Sequence, residues 1–175
     1  MIMKALIPFT LPVSGMGNGT HHFDFRIDDE FFAAFEDSPV HHGRLSAHLE
    51  FDKQASMYVL RFSFDGTVRV TCDRCLEPFD LPIEDEQKLL VKFGDNEGNE
   101  DPDVVYIPYG TTQLEVAQYF YEYVLLAIPL SRVHEDAEES CDPEMLDFLS
   151  PAPADEEPPE DDAQSPWDAL KNFKQ

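Results

Sequence analysis

Two thiols three residues apart are the chain's clearest chemical feature. In V-T-C-D-R-C-L-E-P-F, Val70 to Phe79, the C-x-x-C spacing of Cys72 and Cys75 lets both sulfurs close on one ion or act as a dithiol pair. A tetrahedral zinc site needs four ligands, and the nearest candidates for the other two are His134 and Cys141 in H-E-D-A-E-E-S-C. Their spacing matches no standard pair. A redox role would want a helix N-terminus after the first cysteine to depress its pKa, and Pro78 with a following strand argues against one. A third reading makes both thiols structural, turning the chain where a strand ends, and the residues by themselves favour it. Arg69 and Arg74 flank the thiols and are the candidates for a local phosphate contact, although solvation of a sheet edge explains them more simply.

Other chemistry is harder to place. The six histidines lie on strands and loops, and no nucleophile elbow, Walker loop, glycine-rich dinucleotide turn or H-E-x-x-H appears. The carboxylates come in runs, and a charge run is usually a solvated face. These features point away from an enzyme.

Charge narrows the partners. The chain has 175 residues and a net charge of −24, with fourteen Asp or Glu and no Lys or Arg between Glu135 and Asp168. Up to His134 there are still twenty-two acids against ten bases. Such a field repels phosphate backbones, which nucleic-acid binding must neutralise with Lys and Arg, so direct RNA binding is expected to be local at most. The same field attracts basic proteins. Three cysteines are too few and too odd for a secreted disulfide framework, which fits a reducing cytosol. The apolar N-terminal run is broken by Pro8 and Pro12 with no A-x-A site, and Val124 to Leu130 is far shorter than the ~20 residues that span a bilayer. A soluble, cytoplasmic protein is expected.

The elements that must position the thiols read mostly as strands. Met1 to Phe9 is expected as a first strand, and His22 to Ile27 alternates with a period of two. Asp28 or Asp29 is expected to cap a short helix, Glu30 to Glu36. Arg44 to Asp52 and Met57 to Phe64 alternate again. Asp65-Gly66 is a hairpin signal, so Thr67 to Thr71 is expected to pair back antiparallel. Leu81 to Phe93 and Asp103 to Tyr109 complete the strands, with an acidic loop, Gly94 to Pro102, between them. Thr112 and Glu115 form a capping-box pattern ahead of an apolar repeat that runs from Leu114 to Ile128 and stops at Pro129. The expected fold is therefore α+β: a mostly antiparallel sheet covered by one strong helix, with a disordered acidic C-terminal tail.

Three units follow from this pattern: a domain over 1–134, an acidic, largely disordered linker over 135–165, and a short amphipathic motif over 166–175. In that last motif Ser165 is suited to cap and Pro166 to start a helix, with Trp167, Leu170 and Phe173 on one face. So short a helix is marginal in water and needs a surface, either on a partner or on its own domain.

C-D-R-C-L-E-P-F at Cys72 to Phe79 resembles the C-x-R-C-L signature of the bacterial YceD family, the large ribosomal RNA subunit accumulation protein family. The acidic loop leading into D-V-V-Y-I (Asp103 to Ile107), the helix end L-L-A-I-P (Leu125 to Pro129), His134, and P-W-D-A-L-K (Pro166 to Lys171) resemble further family marks in the same order. Only Cys141 stands where some relatives carry a second cysteine cluster. The resemblance implies a role in 23S rRNA accumulation or processing, hence in large-subunit biogenesis, in a bacterial cytoplasm. Combined with the charge, it suggests a non-enzymatic acidic adaptor for a basic ribosomal protein, assembly factor or pre-large-subunit particle. The rival is a zinc-binding or thiol-redox protein using Cys72 and Cys75.

Overall fold

A computed structural model describes residues 5–94, 103–137 and 140–149. Met1 to Lys4, most of the acidic loop after Gly94, and the terminal motif with Trp167, Leu170 and Phe173 lie outside the described residues.

Alternation of apolar and polar residues builds one five-stranded sheet in the order β2-β3-β4-β5-β6. Its strands are β2 (Gly19–Ile27), β3 (Gly43–Lys53), β4 (Met57–Thr71), β5 (Pro78–Phe93) and β6 (Val104–Ile107). The first four pair antiparallel, and β6 joins the edge parallel to β5. Leu45, Leu49 and Phe51 of β3, Leu60 and Phe62 of β4, and Leu81, Leu89 and Val91 of β5 point to one face and are buried. Their partners in the alternation, among them Ser46, Arg61, Asp65, Glu84 and Glu86, face outward. A two-stranded ribbon joins β1 (Thr10–Leu11) to β7 (Leu114–Glu115).

The described chain is mostly β, which corrects the expected α+β sheet under one strong helix. The main helix, α2 (Ala117–Ala127), has only eleven residues. It shares the cover with α1 (Asp29–Phe32) and the N-terminal segment, and Phe120 of α2 meets Phe9, Phe25 and Phe62 at ring-centroid distances of 6.0, 5.4 and 4.9 Å. The Thr112–Glu115 capping box does not form, because the backbone of Leu114 and Glu115 is taken by pairing to β1 and the Val116 amide donates to Phe9 O. Helix α2 instead begins after Val116. Strand one fails likewise: Ile7–Phe9 is a 3-10 turn, with Pro8 set where a helical turn accepts it. Asp28 does cap α1, accepting from the amides of Glu30 and Phe31.

The largest correction concerns Asp65-Gly66. Strand β4 runs straight through it for fifteen residues, paired on both sides. Gly66 is at φ +150, and a Cβ there would lie 2.2 Å from Arg44 O. Glycine is present for close approach of the neighbouring strand, not for a turn. Only the hairpin at 65–66 is lost: β4 continues to Thr71, and the C-x-x-C turns the chain at the strand's end, as expected, connecting β4 to β5 through Cys72 to Glu77.

Candidate metal centre

Thr71 pairs with Pro78 across the last rung of β4 and β5, and six residues must then reverse the chain. The Cys72 amide donates to Glu77 O at 2.9 Å and the Leu76 amide to Cys72 O at 3.0 Å. The Arg74 amide points at Cys72 Sγ, 3.4 Å away, and Leu76 takes the left-handed conformation at φ 63. This tight turn aims both thiols inward, where Cys72 and Cys75 are buried.

The chain returns to the turn after α2. Arg132 clasps it: its amide and guanidinium donate to Asp73, and the Asp73 amide donates to Arg132 O at 2.8 Å. Arg74 donates to both carboxylate oxygens of Glu135 at 2.6 and 2.7 Å. Between these clasps His134 begins a 3-10 turn, His134–Ala137, and its ring is buried against Phe79. Cys141 then enters just ahead of α3 (Pro143–Leu149), within the stretch whose composition reads as linker, and is buried too.

The structure thus brings Cys72, Cys75, His134 and Cys141 together, with one ligand atom from each and all four within 4.8 Å of one another. Cys72 Sγ lies 3.7 Å from Cys141 Sγ, and His134 Nδ1 lies 3.4 Å from Cys75 Sγ and 3.6 Å from Cys141 Sγ. Zn–S bonds of about 2.3 Å and Zn–N bonds of about 2.0 Å in a tetrahedron require S···S near 3.8 Å and S···N near 3.5 Å. The donor set fits a zinc ion by type, and these three spacings match those of a tetrahedral site. His134 would bind through Nδ1.

The Cys72 and Cys141 thiols are shifted in opposite directions. Burial pushes the Cys72 thiol up, but hydrogen bonds to it from the Cys75, Arg74 and His134 amides and from the His134 ring outweigh burial and bring it below the usual range. Cys141 is raised by burial and by its contacts with Cys72 and Cys75. A divalent cation bound by Cys72, Cys75 and Cys141 would hold all three as thiolates.

The other sequence candidates are accounted for nearby. Arg69 sits on the outer face beside Asp80 at 3.5 Å, and Arg74 is engaged by Glu135; both side chains are about half exposed. What composition hid was the approach of Arg132, His134 and Cys141 to the turn. Beyond the ligand types of His134 and Cys141 themselves, its sequence trace is the pair of opposite charges, Asp73 and Arg74 against Arg132 and Glu135, bracketing the ligands.

No curated protein and no solved structure matches the chain. No helix among the described residues is long and apolar enough to cross a membrane. One family model matches, described as "Large ribosomal RNA subunit accumulation protein YceD", and it aligns residues 60–174. That span takes in both thiols of the turn, His134, Cys141 and the terminal motif, and on it the chain belongs to the YceD family.

Proposed function

We propose that this chain is a non-catalytic factor in the accumulation of large-subunit ribosomal RNA, held together by a structural zinc ion and acting through a basic protein partner in the bacterial cytoplasm. The observation that carries the reading is the buried four-ligand set Cys72, Cys75, His134 and Cys141. Structural zinc sites are closed by four protein ligands, whereas catalytic ones keep a position open for water or substrate. All four residues here are buried. The family description supplies the process.

Charge supplies the partner class. The outer face of the sheet lines up Asp65 with Glu84 across β4 and β5, with Glu86 on the next outward rung of β5 and Asp24 on β2. Arg61 is tied to Glu50, Arg69 to Asp80, Arg74 to Glu135 and Arg132 to Asp73, so these cations are engaged within the protein. A cationic ribosomal protein or assembly factor is complementary to such a surface and a bare polynucleotide is not.

The experiment is a capture from cell extract at low and moderate salt, with zinc measured on the same untagged preparation. Enrichment of a basic ribosomal protein or pre-large-subunit particle, weakening with salt, supports the adaptor. No enrichment at low salt removes it. The thiol-redox alternative rests on the depressed Cys72 and its nearness to Cys141. It predicts a reversible disulfide and no stoichiometric metal.

A further inference from the structure

Helix α2 is apolar on more than its buried side. Of its eleven residues, A-Q-Y-F-Y-E-Y-V-L-L-A, only Gln118 and Glu122 are strongly polar. Ala117, Phe120 and Val124 are buried. Tyr119, Tyr123 and Leu126 follow i, i+4, i+7 along one flank and so share a stripe. The two tyrosines lie over Phe62 with centroids at 6.2 and 5.2 Å, half-buried, while Leu126 is 74% exposed. Leu130, just past the helix, is fully exposed. A helix of this composition is expected to be covered on that flank as well.

The chain carries a segment of matching chemistry. Beyond Leu149, Trp167, Leu170 and Phe173 recur every third residue, and Lys171 and Lys174 are the only cations. The flank has an acidic rim in Glu122, an exposed carboxylate on the helix itself. The reach suffices. Met145 and Leu146 of α3 pack against the core, and sixteen residues, Ser150 to Ser165, separate α3 from the motif. Such a spacer spans roughly 20 Å as a coil and roughly 50 Å extended. At that tether length the motif is present at an effective concentration on the order of millimolar, above that of any free copy. The family model's match, too, extends through residue 174 and so takes in most of the motif.

We propose that the C-terminal segment Pro166 to Gln175 docks in cis on the apolar flank of α2, seating Trp167, Leu170 and Phe173 against Tyr119, Tyr123 and Leu126 with Lys171 and Lys174 toward Glu122. The motif is thereby a flap of its own domain. This is independent of the zinc reading.

Trp167 is the chain's only tryptophan, so its fluorescence reports the docking in the intact protein. The expected result at low protein concentration is an emission blue-shifted from free tryptophan and a several-fold protection from acrylamide quenching. Leu126→Asp, at an exposed position, should return both to free-tryptophan values with the circular dichroism unchanged, and Lys171→Glu with Lys174→Glu should move them the same way. Four results would overturn the proposal: a wild-type Trp167 as quenchable as free tryptophan; a blue shift lost on dilution, which means a second copy; a blue shift that appears only with added ribosomal particles, which means a partner; or a Leu126→Asp variant indistinguishable from wild type.

Discussion

Substituting Cys72→Ser removes the ligand that sits in the turn and faces Cys141 at 3.7 Å. The magnitude follows from what the metal ties together. An ion held by Cys72 and Cys75 on one side and His134 and Cys141 on the other cross-links two parts of the chain about 60 residues apart. The chain-entropy relation for a cross-link of that length gives about 4 kcal/mol. The two clasps, Arg132 to Asp73 and Arg74 to Glu135, are surface pairs with side chains well exposed, each worth about 0–1 kcal/mol. A metal bound there, rather than the ion pairs, would therefore dominate how firmly His134 and Cys141 are held. Against a total stability of about 5–15 kcal/mol, losing about 4 is severe. For a protein of this size it corresponds to a fall in Tm of about 8–16 °C. The assay is zinc content of untagged protein by mass spectrometry, paired with thermal unfolding of wild type, Cys72→Ser and chelator-treated wild type. One zinc per wild-type chain, none in the variant, and matching Tm losses for variant and chelated protein are expected. Metal-free wild type that unfolds at the same temperature with and without added zinc would refute the reasoning.

Other perturbations test the frame around the site. Gly66→Ala forces a Cβ onto Arg44 O at a φ that side chains rarely adopt, and should cost about 1–3 kcal/mol in urea unfolding; a neutral result would mean that β3 and β4 do not approach as described. Phe62→Ala empties the contact shared with Phe120 and Tyr123 and should cost about 3–5 kcal/mol by the same assay. The Arg132 amide and guanidinium hold the Asp73 carboxyl below the usual range, as the His42 ring and the Gly43 amide do for Asp29. A depressed carboxyl contributes fully above its unfolded value of about 3.9 and loses that contribution as pH falls through the lower folded value. Asp73→Asn should thus flatten stability against pH below about pH 4 and matter least once wild-type Asp73 is itself protonated. Parallel wild-type and variant curves throughout would remove the Asp73–Arg132 clasp from the account.

Local pattern was readable wherever one short-range preference acted alone. The alternation of Leu45, Ala47, Leu49 and Phe51 identifies β3 because a period of two can bury only one face. Asp28 ahead of Phe31 and Phe32 marks the start of α1, since the cap and the first turn are neighbours in sequence. Misreadings arose where a distant backbone intervened. Asp65-Gly66 has the composition of a hairpin turn, yet both sides of β4 are paired through it, and fifteen residues of ladder outweigh one dipeptide's preference. Thr112 and Glu115 have the spacing of a capping box, but pairing of Leu114 and Glu115 to β1 supplied those residues with other hydrogen-bond partners.

By itself the sequence determined the knuckle: C-x-x-C between two apolar alternations makes a turn whose thiols point the same way, whatever lies opposite. It determined the acidic field as well, because charge is additive and needs no fold. Only the tertiary structure decided that His134 and Cys141 stand opposite those thiols, 3.4 to 3.7 Å away. That meeting depends on α2 crossing the sheet and ending where Arg132 can reach Asp73. Contacts across some sixty residues of chain leave no periodicity in the sequence, since they are set by how the packed elements deliver the chain to one end of the sheet.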